Sequence, residues 1–212
     1  MRILVTAGPT CEDIDDVRCL TNRSSGRMGY AVAAEAVRRG HEVDLITGPV
    51  EMEPPAGSRL TRIRGAEELL AECQRLFPEC DAMVAAAAVA DYRPARRVAG
   101  KIKKSGRGMM LRLVPTPDVA AILGGMKRPD QVIVGFALET VPAAQARANA
   151  EAKMAAKMQD FSVLNSPAAL GSKDSEVSFL AAGEGWTGPV TLDKAEIAAR
   201  ILDFIESRSK GG

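Results

Sequence analysis

The chain has 212 residues, and its 28 Lys and Arg nearly balance 27 Asp and Glu, so a net charge of +1 predicts neither a nucleic-acid nor a membrane partner. Its length suits one α/β domain with a full core, and we expect a single domain over 1–212. No apolar run approaches the roughly 18 residues of a spanning helix. The opening MRILVTAG is too short and strand-like for a signal peptide, which predicts a cytoplasmic protein.

Cysteine and histidine usage argues against metal or nucleophilic chemistry. Cys11, Cys19, Cys73 and Cys80 show no C-x-x-C spacing, and we expect free thiols. His41, the single histidine, lies where a helix ends and a strand begins. A Ser-His-Asp or Cys-His mechanism is therefore excluded unless His41 serves, and no metal site is predicted.

Short apolar runs alternate with amphipathic stretches along the chain. This pattern predicts a Rossmann-like, doubly wound, mainly parallel sheet with helices on both faces. The predicted strands are Ile3–Ala7, Glu42–Thr47, Leu60–Arg64, Ala82–Ala87, Met109–Val114, Val132–Ala137, Phe161–Leu164 and Val177–Leu180. The predicted helices are Met28–Arg39, Ala66–Leu76, Asp118–Met126, Pro142–Met158 and Lys194–Ser207, followed by a frayed tail at 208–212. The last helix carries an apolar stripe, which favours a packing role.

The first candidate site is the turn TNRSSGRMGY at 21–30, which opens the first helix in place of a G-x-G-x-x-G or P-loop motif. A helix start offers unpaired N–H groups and the positive end of the dipole, and Gly26 lets an anion approach the backbone. Ser24 and Ser25 add hydroxyl donors. The alternative is a serine N-cap with a tight turn.

The second candidate is the basic segment ADYRPARRVAGKIKKSGRG at 90–108. Between Tyr92 and Val114 the chain has eight Lys or Arg and no Asp or Glu. Mutual repulsion and three glycines predict a mobile loop, over about 92–107, that awaits a polyanion, and a solvated basic loop is the alternative. Its place after a strand favours binding, because ligands of open α/β sheets lie beyond the carboxyl ends of the strands.

Three weaker signals come from later elements. Lys153 and Lys157 are four residues apart on one helix face, where like charges repel and a bound phosphate would reverse the penalty. Asp118 precedes a helix and is first of all an N-cap. Phe136, near the end of a strand, is first of all a core residue, although it could also face a ring.

Taken together, these segments resemble the phosphopantothenoylcysteine synthetase family, in its bacterial CTP-dependent type and without the fused flavoprotein decarboxylase domain. The motifs that carry the resemblance are TAGPT, DxVRxxTNRSSGRMG, HEVDLITGPV, AAAVADYRP, KIKKS, PTPD and VGFALET, in the family's order over nearly the whole chain. The resemblance implies a phosphopantothenate-cysteine ligase of coenzyme A biosynthesis.

The implied reaction has two steps and needs no flavin. The carboxylate of 4′-phosphopantothenate is activated as an acyl-cytidylate by CTP, which arrives with Mg²⁺, and the amine of cysteine then forms the amide. The family is dimeric, so a homodimer is expected, and a separate decarboxylase is a possible partner.

The resemblance also assigns roles to residues. Asn22 would engage the activated intermediate, and Lys101 would stabilise charge developing on the α-phosphate. The implied nucleotide-binding residues are Ala85, Ala86, Ala87, Asp91, Pro117, Asp118, Val119, Ala120, Phe136, Lys153 and Lys157. A role for Ser24, Ser25 and Gly26 in holding a phosphate rests on the helix-start argument alone.

Two other classes compete with the ligase. A nicotinamide-dependent oxidoreductase would need the glycine fingerprint after the first strand and an acidic residue after the second, where Gly48 and Pro49 stand instead. A non-catalytic nucleotide-binding module would have no reason to keep Lys101 and Asn22 together.

Overall fold

A computed structural model describes residues 1–165 and 174–209 of the chain. Its strands are β1 (Arg2–Ala7), β2 (Cys11–Asp13), β3 (Cys19–Thr21), β4 (Glu42–Thr47), β5 (Arg59–Arg62), β6 (Ala82–Ala85), β7 (Tyr92–Pro94), β8 (Leu113–Pro115), β9 (Val132–Leu138), β10 (Phe161–Asn165), β11 (Asp174–Ala181) and β12 (Gly185–Asp193). Its helices are α1 (Arg27–Arg38), α2 (Ala66–Leu76), α3 (Val119–Met126), α4 (Ala143–Ala156) and α5 (Lys194–Ser209), with a 3₁₀ turn at Phe77–Glu79.

Eight strands form one sheet in the order β12-β11-β10-β9-β6-β1-β4-β5. The six strands from β10 to β5 run parallel, while β11 and β12 extend the sheet as antiparallel strands. The predicted fold class, a mainly parallel Rossmann-like sheet, is confirmed. Such strands need apolar residues on both faces, since helices cover both sides.

The alternation of side chains along β1 separates two cores. Ile3, Val5 and Ala7 face one side, where α1 and α5 pack, and Leu4 faces the other, where α2 and α3 pack. The stripe predicted on the last helix is confirmed, because Ile197, Ile201 and Ile205 are fully buried in the first core.

Most predicted elements agree with the structure to within two residues, and the main exceptions lie outside the parallel strands. The predicted strand Met109–Val114 is wrong: only the short β8 forms there, paired with β7 in a separate ribbon. Gly106 and Gly108 weaken strand formation just before it. The strands β2, β3, β7 and β12 were not predicted. The segments of β2 and β3 are three residues long, and Gly185, Gly188 and Pro189 give β12 the composition of a turn.

The expectation of four free thiols is wrong for the first pair. Cys11 and Cys19 form a disulfide across the β2–β3 hairpin, with Cα atoms 5.8 Å apart. The hairpin brings together two positions that their spacing in sequence did not connect. Cys73 and Cys80 are free and buried, and burial raises the pKa of the Cys73 thiol to about 12.

The chain ends differ little from expectation. Helix α5 continues to Ser209, past the predicted start of a frayed tail at 208, and the last part of that tail, 210–212, lies outside the described residues. Within 1–165 and 174–209, none of the helices has the length and apolar character that crossing a membrane requires.

Candidate functional site

A cavity of about 860 Å³ lies at the carboxyl edge of the parallel strands, the usual place for ligands of open α/β sheets. Its size is within the range of small-molecule and cofactor sites. The turn before α1, the segment after β6, the start of α3, the end of β9 and the last turn of α4 contribute its walls. Residues distant in sequence therefore share one site.

The turn before α1 forms one wall, and its backbone is held by Asn22. The Asn22 side-chain amide donates to the carbonyl oxygens of Val89, at 2.9 Å, and Ala88, at 3.2 Å. Gly26 takes a left-handed conformation, with φ of 76°, and in the described structure no side chain caps the start of α1. The serine N-cap considered from the sequence is therefore absent, and no side chain accepts from the first-turn N–H groups at this end of α1, whose first residues Arg27 and Met28 line the cavity.

Close packing brings this helix start up to the sheet. A Cβ atom at Gly29 would lie 2.5 Å from the Cβ atom of Ala7 and 2.9 Å from the carbonyl oxygen of Thr6. Only glycine permits that approach. The positive end of the α1 dipole consequently lies directly over the end of β1.

Small side chains form an apolar floor next to the helix start. Ala85, Ala86 and Ala87 line the cavity where β6 ends, and the Thr6 hydroxyl accepts a hydrogen bond from the backbone N–H of Ala87 at 3.2 Å. Phe136 of β9 is half-buried and lines the same cavity. A flat ring can lie close to this backbone, because alanine methyl groups take little space.

Both predicted lysines face the cavity, but each has a carboxylate partner. Lys153 Nζ is 2.6 Å from Glu139 Oε1, and Lys157 Nζ is 3.0 Å from Asp118 Oδ2. The expected repulsion between two unpaired lysines is therefore reduced by these counter-ions. The N-cap prediction for Asp118 is confirmed, since its carboxylate accepts from the N–H of Ala121 at 3.1 Å.

Three further cations line the cavity that the sequence analysis did not predict as site residues. Arg23 lies in the turn before α1, Arg27 is the first residue of α1, and Lys194 is the first residue of α5, which comes back to the site from the far end of the chain. Burial, together with the nearby Arg27 guanidinium, lowers the pKa of Lys194, whose ammonium donates to Ser175 Oγ at 2.8 Å. A lysine at a helix N-terminus is unfavourable next to the positive end of the helix dipole. This unusual position of Lys194 was the one signal in the sequence that could have indicated a functional role.

Lys101 is the predicted site residue that the structure places elsewhere. It is exposed and is not among the residues that line the cavity. Its loop is attached to the β2–β3 hairpin: the N–H of Gly100 donates to Asp16 Oδ2 at 2.7 Å, and that of Ile102 to Asp15 Oδ2 at 3.0 Å. The Arg18 guanidinium, together with the backbone N–H groups of Ile102, Val17 and Arg18, holds the pKa of Asp15 well below its usual range. The loop thus has defined contacts, and β7 occupies its first three residues.

The other predicted site residues line the cavity together. They are Asn22, Ser24, Ser25, Gly26, Ala85, Ala86, Ala87, Asp91, Pro117, Asp118, Val119, Ala120, Phe136, Lys153 and Lys157. The roles assigned to them stay predictions, because shared position does not establish a role.

Metal-binding side chains are sparse in this arrangement. Among the described residues, no three His, Cys, Asp or Glu side chains are grouped so that they could hold a metal ion. His41 lies 2.8 Å from Glu206 in a contact between the end of α1 and α5. It is not among the residues that line the cavity.

Fold and site define a Rossmann-like domain with a cation-rimmed cavity of mononucleotide size at its carboxyl edge. The chain belongs to the family described as the DNA/pantothenate metabolism flavoprotein C-terminal domain, whose model matches residues 1–208.

The similar proteins are longer than this chain. A protein named cysteine/cysteine sulfinic acid decarboxylase, from an unknown prokaryotic organism, is 39% identical over 206 residues, which cover 95% of this chain and 56% of that protein. The coenzyme A biosynthesis bifunctional protein CoaBC of Bacillus subtilis is 35% identical over 213 residues, or 98% of this chain and 52% of that protein. The chain therefore spans about half the length of the curated relatives it matches.

One solved structure covers the same extent. The C-terminal domain of a coenzyme A biosynthesis bifunctional protein CoaBC superposes with a TM-score of 0.85 at 34% identity, covering 100% of this chain and 96% of that one. The match supports the fold.

These descriptions contradict the family assignment made from the sequence. The family model describes a flavoprotein domain, the first relative is named a decarboxylase, and none of the three proteins above is named a ligase. We correct the assignment from phosphopantothenoylcysteine synthetase to the DNA/pantothenate metabolism flavoprotein family. The predicted phosphopantothenate-cysteine ligase activity is withdrawn with it.

The correction extends to the predicted ligands. The use of CTP with Mg²⁺, the expectation of no flavin, and the assignment of 4′-phosphopantothenate and cysteine as ligase substrates are withdrawn, because the matching family is described as a flavoprotein. The physical reason lies in the site itself. A helix start, an alanine floor and lysines suit a phosphate and a flat ring, and they do not by themselves select a base or a reaction.

Proposed function

We propose that the chain binds a phosphorylated mononucleotide in the carboxyl-edge cavity and acts as an enzyme domain of coenzyme A biosynthesis. The observation that carries this proposal is the arrangement around the cavity: an uncapped helix start and the ammonium groups of Lys153 and Lys157 surround a floor of alanines. One end of the ligand would be anionic and the other flat and apolar.

The charge around the cavity favours an anion over a neutral ligand. Five cations line it, against two lining carboxylates, and Glu139 pairs with one of the lysines from outside the lining. The cations are Arg23, Arg27, Lys153, Lys157 and Lys194, and the carboxylates are Asp91 and Asp118. Anions are stabilised at helix N-termini by the dipole and by the free N–H groups. We therefore infer that the phosphate lies between the α1 start and the lysines of α4.

FMN is the first mononucleotide to test, because the family's description names a flavoprotein. Its phosphate suits the turn at Ser24, Ser25 and Gly26, and its ring system needs a flat apolar surface such as Ala85–Ala87 with Phe136. The residues present thus fit FMN, as they fit other mononucleotides. When bound, FMN would supply electron transfer that these side chains cannot perform. The chain's own residues would hold the phosphate and exclude water from the ring.

Membership in coenzyme A biosynthesis is supported by the names of relatives that match most of this chain. The chain covers about half of their length, so we propose for it only the part of their activity that this domain carries. The predicted homodimer stays a prediction beside it.

Equilibrium binding of four ligands tests the proposal. The purified chain is titrated with FMN, riboflavin, CTP and cytidine, so that each phosphorylated ligand is compared with its phosphate-free counterpart. We expect at least one phosphorylated ligand to bind roughly tenfold or more tightly than its counterpart, which corresponds to about 1.4 kcal/mol. Binding of none of the four, or equal binding within both pairs, would overturn the proposal.

The same panel decides which nucleotide is relevant. Retention of FMN would make decarboxylation the reaction to assay, as CO₂ release from cysteine and from its phosphopantothenate conjugate. Binding of CTP without FMN would exclude the flavin as the ligand of this domain. The variant Lys104→Met serves as a control for the loss of a surface charge. Because Lys104 is exposed and does not line the cavity, this variant should bind the ligands as the wild-type chain does.

A further inference from the structure

A chain of hydrogen bonds outside the cavity ends at one of the cavity lysines. Glu139 directly follows β9, and its two carboxylate oxygens have different partners: Oε1 accepts from Lys153 Nζ at 2.6 Å, and Oε2 accepts from Asn149 Nδ2 at 2.9 Å. Gln145 Nε2 in turn donates to Asn149 Oδ1 at 2.8 Å. Gln145, Asn149 and Lys153 lie four residues apart and therefore on one face of α4.

Glu139 is well placed to hold these groups. Its side chain is 9% exposed, whereas that of Lys153 is 54% exposed. The Lys153 ammonium, and next the Asn149 amide, hold the pKa of Glu139 below its usual range. The carboxylate is therefore charged and fixed, while the lysine would otherwise be a flexible chain at the surface.

Glu139 does not line the cavity, but Lys153 does. We propose that Glu139 is a positioning residue: it orders the Lys153 ammonium at the cavity rim before the ligand's phosphate arrives. This inference rests on the proposed function and adds a residue to it. Ordering a long side chain in advance removes an entropic cost that the ligand would otherwise meet on binding.

The opposite expectation follows if Glu139 is only a competing counter-ion. A carboxylate next to a phosphate site repels the anion and occupies its lysine, so removal of the carboxylate charge would then tighten binding. The two roles therefore predict changes of opposite sign in ligand affinity when the charge of Glu139 is removed. Substitutions at Glu139 and Lys153 are sufficient to distinguish them.

The experiment measures the affinity of the chain for FMN and for CTP in Glu139→Gln, Lys153→Met and the double variant. Positioning predicts that Glu139→Gln weakens binding of the retained nucleotide about three- to tenfold. In the Lys153→Met background the second substitution should have little further effect, because the group it positions is gone. Asn149→Ala should weaken binding less than Glu139→Gln does, because Asn149 contacts Glu139 and the Glu139 carboxylate stays in place.

A matched control lies on the same helix. Glu151 Oε1 accepts from Trp186 Nε1 at 2.6 Å and does not line the cavity, so Glu151→Gln should leave the affinity unchanged. Tighter or unchanged binding in Glu139→Gln overturns the inference, as does an equal loss with and without Lys153. If the wild-type chain binds neither nucleotide, the proposed function fails and the inference fails with it.

Discussion

The two edges of the parallel sheet carry charged residues for different purposes. At the amino edge, ions pair with each other: the buried Asp44 carboxylate accepts from Arg2 Nε and Arg59 Nε, both at 2.8 Å, and Asp160 accepts from Lys127 Nζ at 2.7 Å. At the carboxyl edge, lysines face an open cavity with partial compensation. The first arrangement stabilises the fold, and the second leaves charge available for a ligand.

Removal of the buried carboxylate at the amino edge should have the largest effect. In Asp44, burial favours a raised pKa, but the hydrogen bonds from Arg59 and Arg2 outweigh it and lower the pKa. Asp44→Ala leaves two arginines without that partner, and we expect a loss of about 2–3 kcal/mol in the free energy of unfolding. Urea denaturation measures it.

The control for this prediction is Glu42→Ala. Glu42 pairs with the same Arg59 but its side chain is 69% exposed, so we expect a change below about 0.5 kcal/mol. Nucleotide affinity should stay the same in both variants. A loss of affinity in Asp44→Ala at full folding would contradict the separation of the two edges.

Gly29→Ala should affect both stability and the site, because it lies where α1 meets β1. The added methyl would be 2.5 Å from the Ala7 Cβ atom, and overpacking of this kind costs about 1–3 kcal/mol, so we expect about 2. Displacement of the α1 start should also weaken nucleotide binding. Thermal unfolding and equilibrium binding measure the two effects.

Gly125→Ala is the matched control in another helix. No atom lies within 4 Å of a Cβ there, and alanine is the better helix former, so stability should not fall. An unchanged affinity in Gly29→Ala would show that the helix start does not bind the phosphate.

The sequence predicted the parallel strands well because their apolar runs must be buried on both faces. It did not predict β12, whose partner β11 is required to keep a segment with Gly185, Gly188 and Pro189 extended. The Cys11–Cys19 disulfide depends similarly on a hairpin of two three-residue strands. Local pattern was therefore sufficient for the centre of the sheet and insufficient for its periphery.

The site was predicted where residues adjoin the ends of strands or share a helix face. Lys153 and Lys157 were found by their spacing, although their carboxylate partners could not be. Lys194 reaches the cavity only because α5 returns to the sheet, and contacts of that range have no local signal. The reaction was not predictable from these residues, since one geometry serves several mononucleotides.

Substitution of one lysine at each edge of the sheet, Lys157 at the carboxyl edge and Lys127 at the amino edge, should separate ligand binding from stability. Lys157→Met should weaken nucleotide binding roughly tenfold, about 1.4 kcal/mol, by removing a charge that faces the cavity. Its pair with Asp118, whose side chain is 52% exposed, should contribute at most about 0.5 kcal/mol to stability. Lys127→Met should show the reverse pattern: lower stability and unchanged affinity. The same pattern in both variants would contradict the comparison.

The smallest expected effect is a pH dependence of stability near the amino edge. Hydrogen bonds from Arg38, and also from Arg39, outweigh burial and lower the pKa of Glu35 from 4.5 to about 2. A depressed carboxyl pKa stabilises the folded chain fully above the unfolded value, and this contribution is lost as pH falls from 4.5 towards 2. Because water screens these side chains, we expect about 1 kcal/mol in total.

Urea denaturation of wild type and Glu35→Gln at pH 6 and at pH 3 measures this contribution. The wild type should be the more stable at pH 6, and the difference should shrink at pH 3, where the unfolded carboxyl group is protonated and the folded one is largely charged. Nucleotide affinity at pH 6 should be equal in the two proteins, because Glu35 lies outside the cavity lining. If the difference in the free energy of unfolding between the two proteins grows as the pH falls, the arginines do not stabilise the charged form of Glu35. The ion pairs near the amino edge would then not stabilise the fold as proposed.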